Sequence, residues 1–381
     1  MSRLFATPPP RMIERLTVIG TGLIGGSLGL AWAQRQPEIT IVGHDRPEVL
    51  ERAEERGAID EKAADPLSAV ADTDLVVLAT PLATTVRLLD TIADALPEGC
   101  FVTDVASVKE PVLDQAADVL PDHATFLGGH PMAGAEHSGI DHADPLLFEN
   151  AVYSLCLPED TDEAALDEGL APLVELIEAT GSRPLVLDAP RHDRLVAATS
   201  HVPQLLSVAL VNLVATTEDD ADRDLALQLA GGGFRDMTRI ASSPFDVWRD
   251  VLVGNERAIH DALSRLRRGL RTLRNRLIEE DLDALEDAFD EARTARDAMP
   301  QDSKGFLHPL SDVYVRAPDE EGVIHELSGH LLDADLNIKD IELQTIRDGT
   351  GGTFRLAFET AGDAEEAVAV LSAAGYEARR P

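Results

Sequence analysis

Cysteine and lysine are both scarce in this chain, and aromatic side chains are few. Its two cysteines, Cys100 and Cys156, cannot form a framework of crosslinks. Both lie in apolar surroundings, as expected of core thiols in a reducing compartment. Lysine occurs only at Lys62, Lys109, Lys304 and Lys339. With 33 basic against 69 acidic residues the formal charge is -36, which repels nucleic acid and anionic membranes at long range. The run Arg265, Arg267, Arg268, Arg271, Arg274 and Arg276 is balanced by the acids from Glu279 to Glu291, so it is expected to be a solvated helix face and not an RNA patch. Acid excess with so little lysine also points to a salty cytoplasm, where screening relieves self-repulsion.

Long hydrophobic runs are missing too. The longest apolar stretches, Leu75 to Ala79 and Val202 to Val214, are short or interrupted, so no membrane span is expected. The residues before Arg15 are Pro-rich and lack the apolar core of a signal peptide, so a cytoplasmic location is expected. Aromatics make up 4% of the chain but hydrophobic residues 44%, enough aliphatic material for ordinary globular cores. At 381 residues the chain exceeds one typical core, so two or three domains are expected.

From residue 15 to 188, short β-branched or apolar runs alternate with helical stretches, the pattern of βαβ units in a parallel, doubly wound Rossmann sheet. Strands are expected at Leu16 to Ile19, Thr40 to Gly43, Leu75 to Leu78, Phe101 to Thr103, Thr125 to Leu127, Ala151 to Leu157 and Pro184 to Leu187. From 189 to 299 strand signals vanish and apolar residues recur at helical spacing, as in Leu205, Leu206, Ala209, Leu210 and Leu213. A polar, Pro- and Gly-containing linker is expected at 300–309, after a flexible leader at 1–14. The last segment, 310–381, has the order βαββα, with room for a short final strand near Tyr376 to Ala378.

Gly20, Gly22 and Gly25 stand at G-x-G-x-x-G spacing directly after a strand and open an apolar helix. Such glycines permit a tight turn and let backbone N–H groups approach a pyrophosphate. Asp45 ends the second strand, where a carboxylate accepts from a ribose 2′-OH and repels a 2′-phosphate. NAD is therefore favoured, although Arg46 beside it leaves NADP open. Leu23 and Ile24 at the helix start and Thr80 after a strand complete the expected cofactor contacts.

The segment Asp104 to Lys109 follows a strand, so its polar groups emerge at the carboxyl edge of the sheet, where open α/β folds place ligands. Ser107 is the hydroxyl expected in the site, while Lys109 caps or pairs locally. One strand later comes Gly128-Gly129-His130, and a histidine there can accept a hydroxyl proton near neutral pH. In the helical half, His201 lies in Ser200 to Gln204, and Arg235 and Arg239 follow a glycine run at i and i+4, on one helix face suited to gripping carboxylates. No metal is expected.

Read in order, these segments resemble the prephenate/arogenate dehydrogenase family of tyrosine biosynthesis over essentially the whole chain. The resemblance implies a Rossmann domain, a helical dimerisation domain in a homodimer, and NAD-linked oxidative decarboxylation of a cyclohexadienol. His130 matches the family's catalytic histidine, which bonds the ring hydroxyl as hydride leaves the same carbon, and Ser107 matches the serine that assists it. Arg239 matches the arginine that holds a substrate carboxylate, and Glu136, His201 and Trp248 match positions lining the pocket. The tail resembles an ACT module on Asp319 to Ile324 and Leu336 to Ile338, which implies feedback by tyrosine with Gly322 and Asn337 as contacts. Prephenate and arogenate remain alternatives. A β-hydroxyacid dehydrogenase, which needs a lysine after its glycines, is opposed by the lack of lysine from 189 to 299, and a non-catalytic NAD or amino-acid sensor is opposed by the joint presence of His130, Ser107 and Arg239.

Overall fold

The computed structural model describes residues 12–134, 137–157, 169–217, 219–298, 310–347 and 351–381. Most of the expected leader, the expected linker and Glu136 lie outside them. The chain divides into two compact units, Met1–Leu285 and Glu286–Pro381.

The first unit is built on an eight-stranded sheet of β1 (Arg15–Ile19), β2 (Thr40–His44), β3 (Glu61–Lys62), β4 (Leu75–Leu78), β5 (Phe101–Asp104), β6 (Thr125–Pro131), β7 (Val152–Leu157) and β8 (Arg183–Asp188), in spatial order 3-2-1-4-5-6-7-8. The reversal between β1 and β4 is the switch point at which doubly wound sheets open a ligand crevice. The central strands are continuous apolar runs because both faces are covered. Leu16, Val18, Leu75 and Val77 pack on one face with Trp32 and Leu28, while Ile19, Val76 and Leu78 pack on the other with Leu89 and Ile92. Asp74 holds the start of β1 by accepting the N–H groups of Glu14 and Arg15 at 2.9 and 3.0 Å.

Two features of this sheet differ from expectation. The two-residue strand β3 was too short to carry a periodic signal. More importantly, β7 runs antiparallel to β6, with His130 opposite Ser154, and only then does β8 return parallel to β7. The described residues between β6 and β7 include a single 3-10 turn at Ile140–His142, not the long helical crossover that a parallel return requires. Because β7 extends the pairing, β6 reaches four residues beyond the expected end at Leu127, and His130 is clamped in a strand.

Beyond β8 the unit is helical, as expected. Asp188 caps the first helix, Ala189–Val196, by accepting the Arg191 N–H at 2.7 Å. A π-turn, Ala197–His201, then leads into Val202–Ala215. Ala189 to Ala215 is long and apolar enough to cross a membrane by length and composition alone, and a third of its apolar window is buried. Its first half points His192, Asp193 and His201 into the interior, each no more than 1% exposed. A long helix, Glu256–Ile278, follows.

The second unit carries a four-stranded antiparallel sheet, β10-β11-β9-β12, formed by β9 (Ser311–Ala317), β10 (Asp340–Arg347), β11 (Gly351–Phe358) and β12 (Glu377–Arg379), with helices Val323–Asp333 and Ala361–Ala373. Alternation sends Val313, Val315, Phe354 and Leu356 into one core with Leu327, Leu331 and Leu371. On the opposite face Arg355 binds Asp312 at 2.8 Å, Glu342 at 2.9 Å, and Asp340. Gly322 adopts a left-handed φ of 92° to start the first of these helices. Asn337 is exposed and precedes β10 by three residues.

Candidate active site

The glycine turn after β1 is shaped by what it excludes. A Cβ on Gly20, whose φ is 98°, would lie 2.4 Å from the Ala79 carbonyl oxygen, and one on Gly25 would lie 2.0 Å from the Gly20 oxygen. The turn is thus pressed against β1 and the end of β4, with the Thr80 methyl also beside Gly20. Thr80 is held by a 2.9 Å hydrogen bond between its hydroxyl and that of Thr85. Gly22, in contrast, has open space where its Cβ would be. The helix it starts, Leu23–Arg35, has neither a side-chain cap nor an acid in its first turn, so its free N–H groups and positive dipole end are available to an anion. Half-buried Leu23 and Ile24 form its first turn.

Asp45 stands just after β2 and accepts the N–H groups of Thr21 at 2.8 Å and Arg46 at 2.7 Å. These bonds hold a partly exposed carboxylate at the rim of the turn. The Thr21 hydroxyl is buried without a hydrogen-bond partner. An open anion-accepting helix end, a fixed carboxylate and this unpartnered hydroxyl fit the diphosphate and ribose of a dinucleotide such as NAD.

Across the switch point, β5 and β6 deliver a second constellation. Asp104, at the end of β5, accepts the Ala106 N–H at 2.9 Å and the Gly129 N–H at 3.1 Å. It also pairs with the Lys109 ammonium, which donates to the Gly129 carbonyl at 2.5 Å. Both side chains are wholly buried. Of the two roles left open for Lys109, the structure selects local pairing: the ion pair locks the loop bearing Ser107 to the strand bearing His130. Gly129 is required for this closeness, since a Cβ there would lie 2.3 Å from the Asp104 carbonyl oxygen. Ser107 is half-buried at the same carboxyl edge.

His130 is 9% exposed. Its Nδ1 lies 2.8 Å from Nε2 of His192, whose own Nδ1 lies 2.7 Å from the Asp193 carboxylate. Burial, followed by the nearby His192, Lys109 and His201, pushes the His130 pKa well below the ordinary histidine value, so the ring is neutral at physiological pH. Asp193 also accepts the N–H groups of Lys109 at 2.8 Å and Glu110 at 2.9 Å, where the helix Glu110–Val119 begins. Burial likewise pushes His201 down, to about 4. Trp248 meets the His201 ring edge-on at 6.0 Å between centroids, and Asn255 donates to the Asp193 carbonyl at 2.8 Å and contacts His201 Nδ1 at 3.2 Å.

The structure thus draws His201 and Trp248 together and links them to His130 through Asn255, Asp193 and His192. Arg235 and Arg239 are exposed. The α-helix Gly232–Thr238 ends before Arg239, which opens a 3-10 turn, Arg239–Ser242. Arg235 and Arg239 therefore straddle the end of that helix. His192, Asp193 and Asn255 were not singled out in the sequence. An adjacent His-Asp pair in the first helix after the sheet is the signal that could have found them.

The segment 28–183 matches the family model described as prephenate dehydrogenase, nucleotide-binding domain, and 188–291 matches prephenate dehydrogenase, dimerization domain. The chain is 34% identical over 370 residues to prephenate dehydrogenase of Bacillus subtilis, covering 96% of this chain and 98% of that protein. Among solved structures it is similar to prephenate dehydrogenase from A. aeolicus in complex with hydroxyphenyl propionate and NAD+, at 26% identity and a TM-score of 0.68 over 75% of this chain and 98% of that one. It is also similar to Synechocystis arogenate dehydrogenase, at 32% identity and a TM-score of 0.65 over 74% and 99%.

Proposed function

The chain belongs to the prephenate dehydrogenase family, and we propose that it oxidises and decarboxylates prephenate with NAD, using His130 as the proton acceptor. The observation that carries this reading is a neutral, buried histidine clamped in β6 beside an open dinucleotide cradle. When bound, NAD accepts the hydride from the ring carbon that bears the hydroxyl. As that carbon becomes a carbonyl, His130 takes the hydroxyl proton. The ring carboxylate then leaves as carbon dioxide, its bonding electrons complete the aromatic ring, and His130 can return the proton to the phenolic oxygen. Ser107 assists at the same hydroxyl, Trp248 and His201 line the pocket, and Arg239 with Arg235 holds the substrate carboxylates. Gly20, Gly22, Leu23, Ile24, Gly25, Asp45 and Thr80 hold NAD.

The active form is a homodimer in the cytoplasm. On the helix Glu256–Ile278, Ile259, Leu263, Leu266, Leu270, Leu273 and Leu277 repeat at alternating steps of four and three, a heptad seam. Leu270 is 54% exposed and Leu277 67%, which supports burial of this stripe against a second copy. The domains run as 15–188 for cofactor, 189–299 for substrate and dimerisation, and 310–381 as an ACT module sensing tyrosine, with Gly322 and Asn337 as contacts; its βαββαβ order supports the module. The test is NAD reduction by the purified protein with prephenate and arogenate supplied separately, and tyrosine then added. Turnover of prephenate, inhibited by tyrosine, is expected. Turnover of arogenate alone would overturn the substrate, and saturable NAD binding without turnover of either would favour a sensor.

A further inference from the structure

Resting on the reading of His130 as the proton acceptor, we propose that Asp193 is the positioning residue that decides which ring nitrogen carries the proton on both His130 and His201. Its carboxylate receives the N–H groups of Lys109 and Glu110 and faces Nδ1 of His192. An ionised carboxylate only accepts, so the His192 proton sits on Nδ1. A neutral His192 then offers a lone pair at Nε2, and this lone pair faces His130 Nδ1. His130 must donate there, which leaves its Nε2 lone pair for the substrate hydroxyl. A doubly protonated His192 would reverse this and disable the base. The groups around His130 are His192, Lys109 and His201, with Asp104 neutralising Lys109 and Asp193 behind His192. Asp193 is thus the counter-charge available to one positive charge on the His192–His130 relay.

The second arm runs through the Asp193 backbone. Its carbonyl accepts from Asn255 Nδ2, and a carbonyl cannot donate, so the amide's NH2 group must lie on that side. The same NH2 faces His201 Nδ1, which therefore accepts and places the His201 proton on Nε2. The two histidines thus hold opposite tautomers: His130 is an acceptor at Nε2 and His201 a donor at Nε2. One is suited to take a hydroxyl proton, the other to hydrogen-bond an oxygen of an anionic substrate. When His130 is protonated in the reaction, its Nδ1–H donates along His192 toward the Asp193 carboxylate, which stabilises the charge.

The experiment is nitrogen NMR of the full chain labelled with 15N-histidine, with His130 and His201 assigned by H130N and H201N. The expected spectrum shows His130 as Nδ1–H and His201 as Nε2–H; the reverse tautomer at His130 would overturn the proposal. N255A should disturb only His201, and D193N should disturb His130 and lower kcat about 100-fold with NAD binding unchanged. An undisturbed His130 in D193N would also overturn it. If D193N does not fold, His192 decides the question: H192Q, whose amide oxygen can accept from His130 Nδ1–H, should keep more activity than H192L, and equal losses would count against the relay. The spectra need no turnover, so a failure to oxidise prephenate with the expected tautomers present would sink the functional reading and leave this one standing.

Discussion

The cofactor cradle and the proton site lie on either side of one switch point, yet they are built from different materials. The cradle is made of backbone: Gly20 and Gly25 allow contacts that no side chain could share, and one carboxylate, Asp45, is fixed at its rim by hydrogen bonds to the turn. The proton site is made of buried side chains, the Asp104–Lys109 pair and the chain from His130 through His192 to Asp193. The first region should therefore be sensitive to added volume and the second to altered charge or proton position.

The largest expected effect on stability is at the buried ion pair. Lys109→Met leaves Asp104 as an uncompensated buried charge and should destabilise the fold by about 3–5 kcal/mol, read as a shift in denaturation midpoint. A loss no larger than that of an exposed pair would place water at the site and blur the contrast. At the cradle, Gly25→Ala adds a methyl group within 2.0 Å of the Gly20 oxygen. Overpacking of this kind costs about 1–3 kcal/mol and should abolish saturable NAD binding while leaving the acid dependence of stability unchanged. Retained NAD affinity would show the turn to be more pliant than it looks.

The smallest effect concerns pH. His130 and His201 are both held below the ordinary histidine value, His201 at about 4. The unfolded chain therefore binds protons that the folded chain refuses once the pH drops below about 6.5. Their contribution to stability is present above that pH and is lost as it falls toward 4. Denaturation of wild type and His201→Asn at pH 7.5 and 5 should show a shallower decline in the variant; identical slopes would mean His201 is solvated.

The difference in materials also explains what could be read in the sequence. A backbone cradle must be written as closely spaced glycines after a strand, so Gly20 to Gly25 and Asp45 were legible, as were the helical half and the tail. The relay from His130 to Asp193 is assembled from positions 62 residues apart, as between His130 and His192, and only its end, His130, stood in a local motif. The antiparallel turn of β7 was hidden because a strand's direction leaves no mark in its own residues. The end of the α-helix before Arg239 was hidden because a 3-10 turn and an α-helix share the same local composition.

The central claim is that His130 performs the proton transfer while the cradle acts independently of it. The most direct measurement is NAD binding and prephenate-dependent NAD reduction, side by side, in wild type and His130→Asn. The account predicts unchanged NAD affinity and a loss in kcat of about 10²–10⁴-fold. Near wild-type turnover in the variant would contradict it.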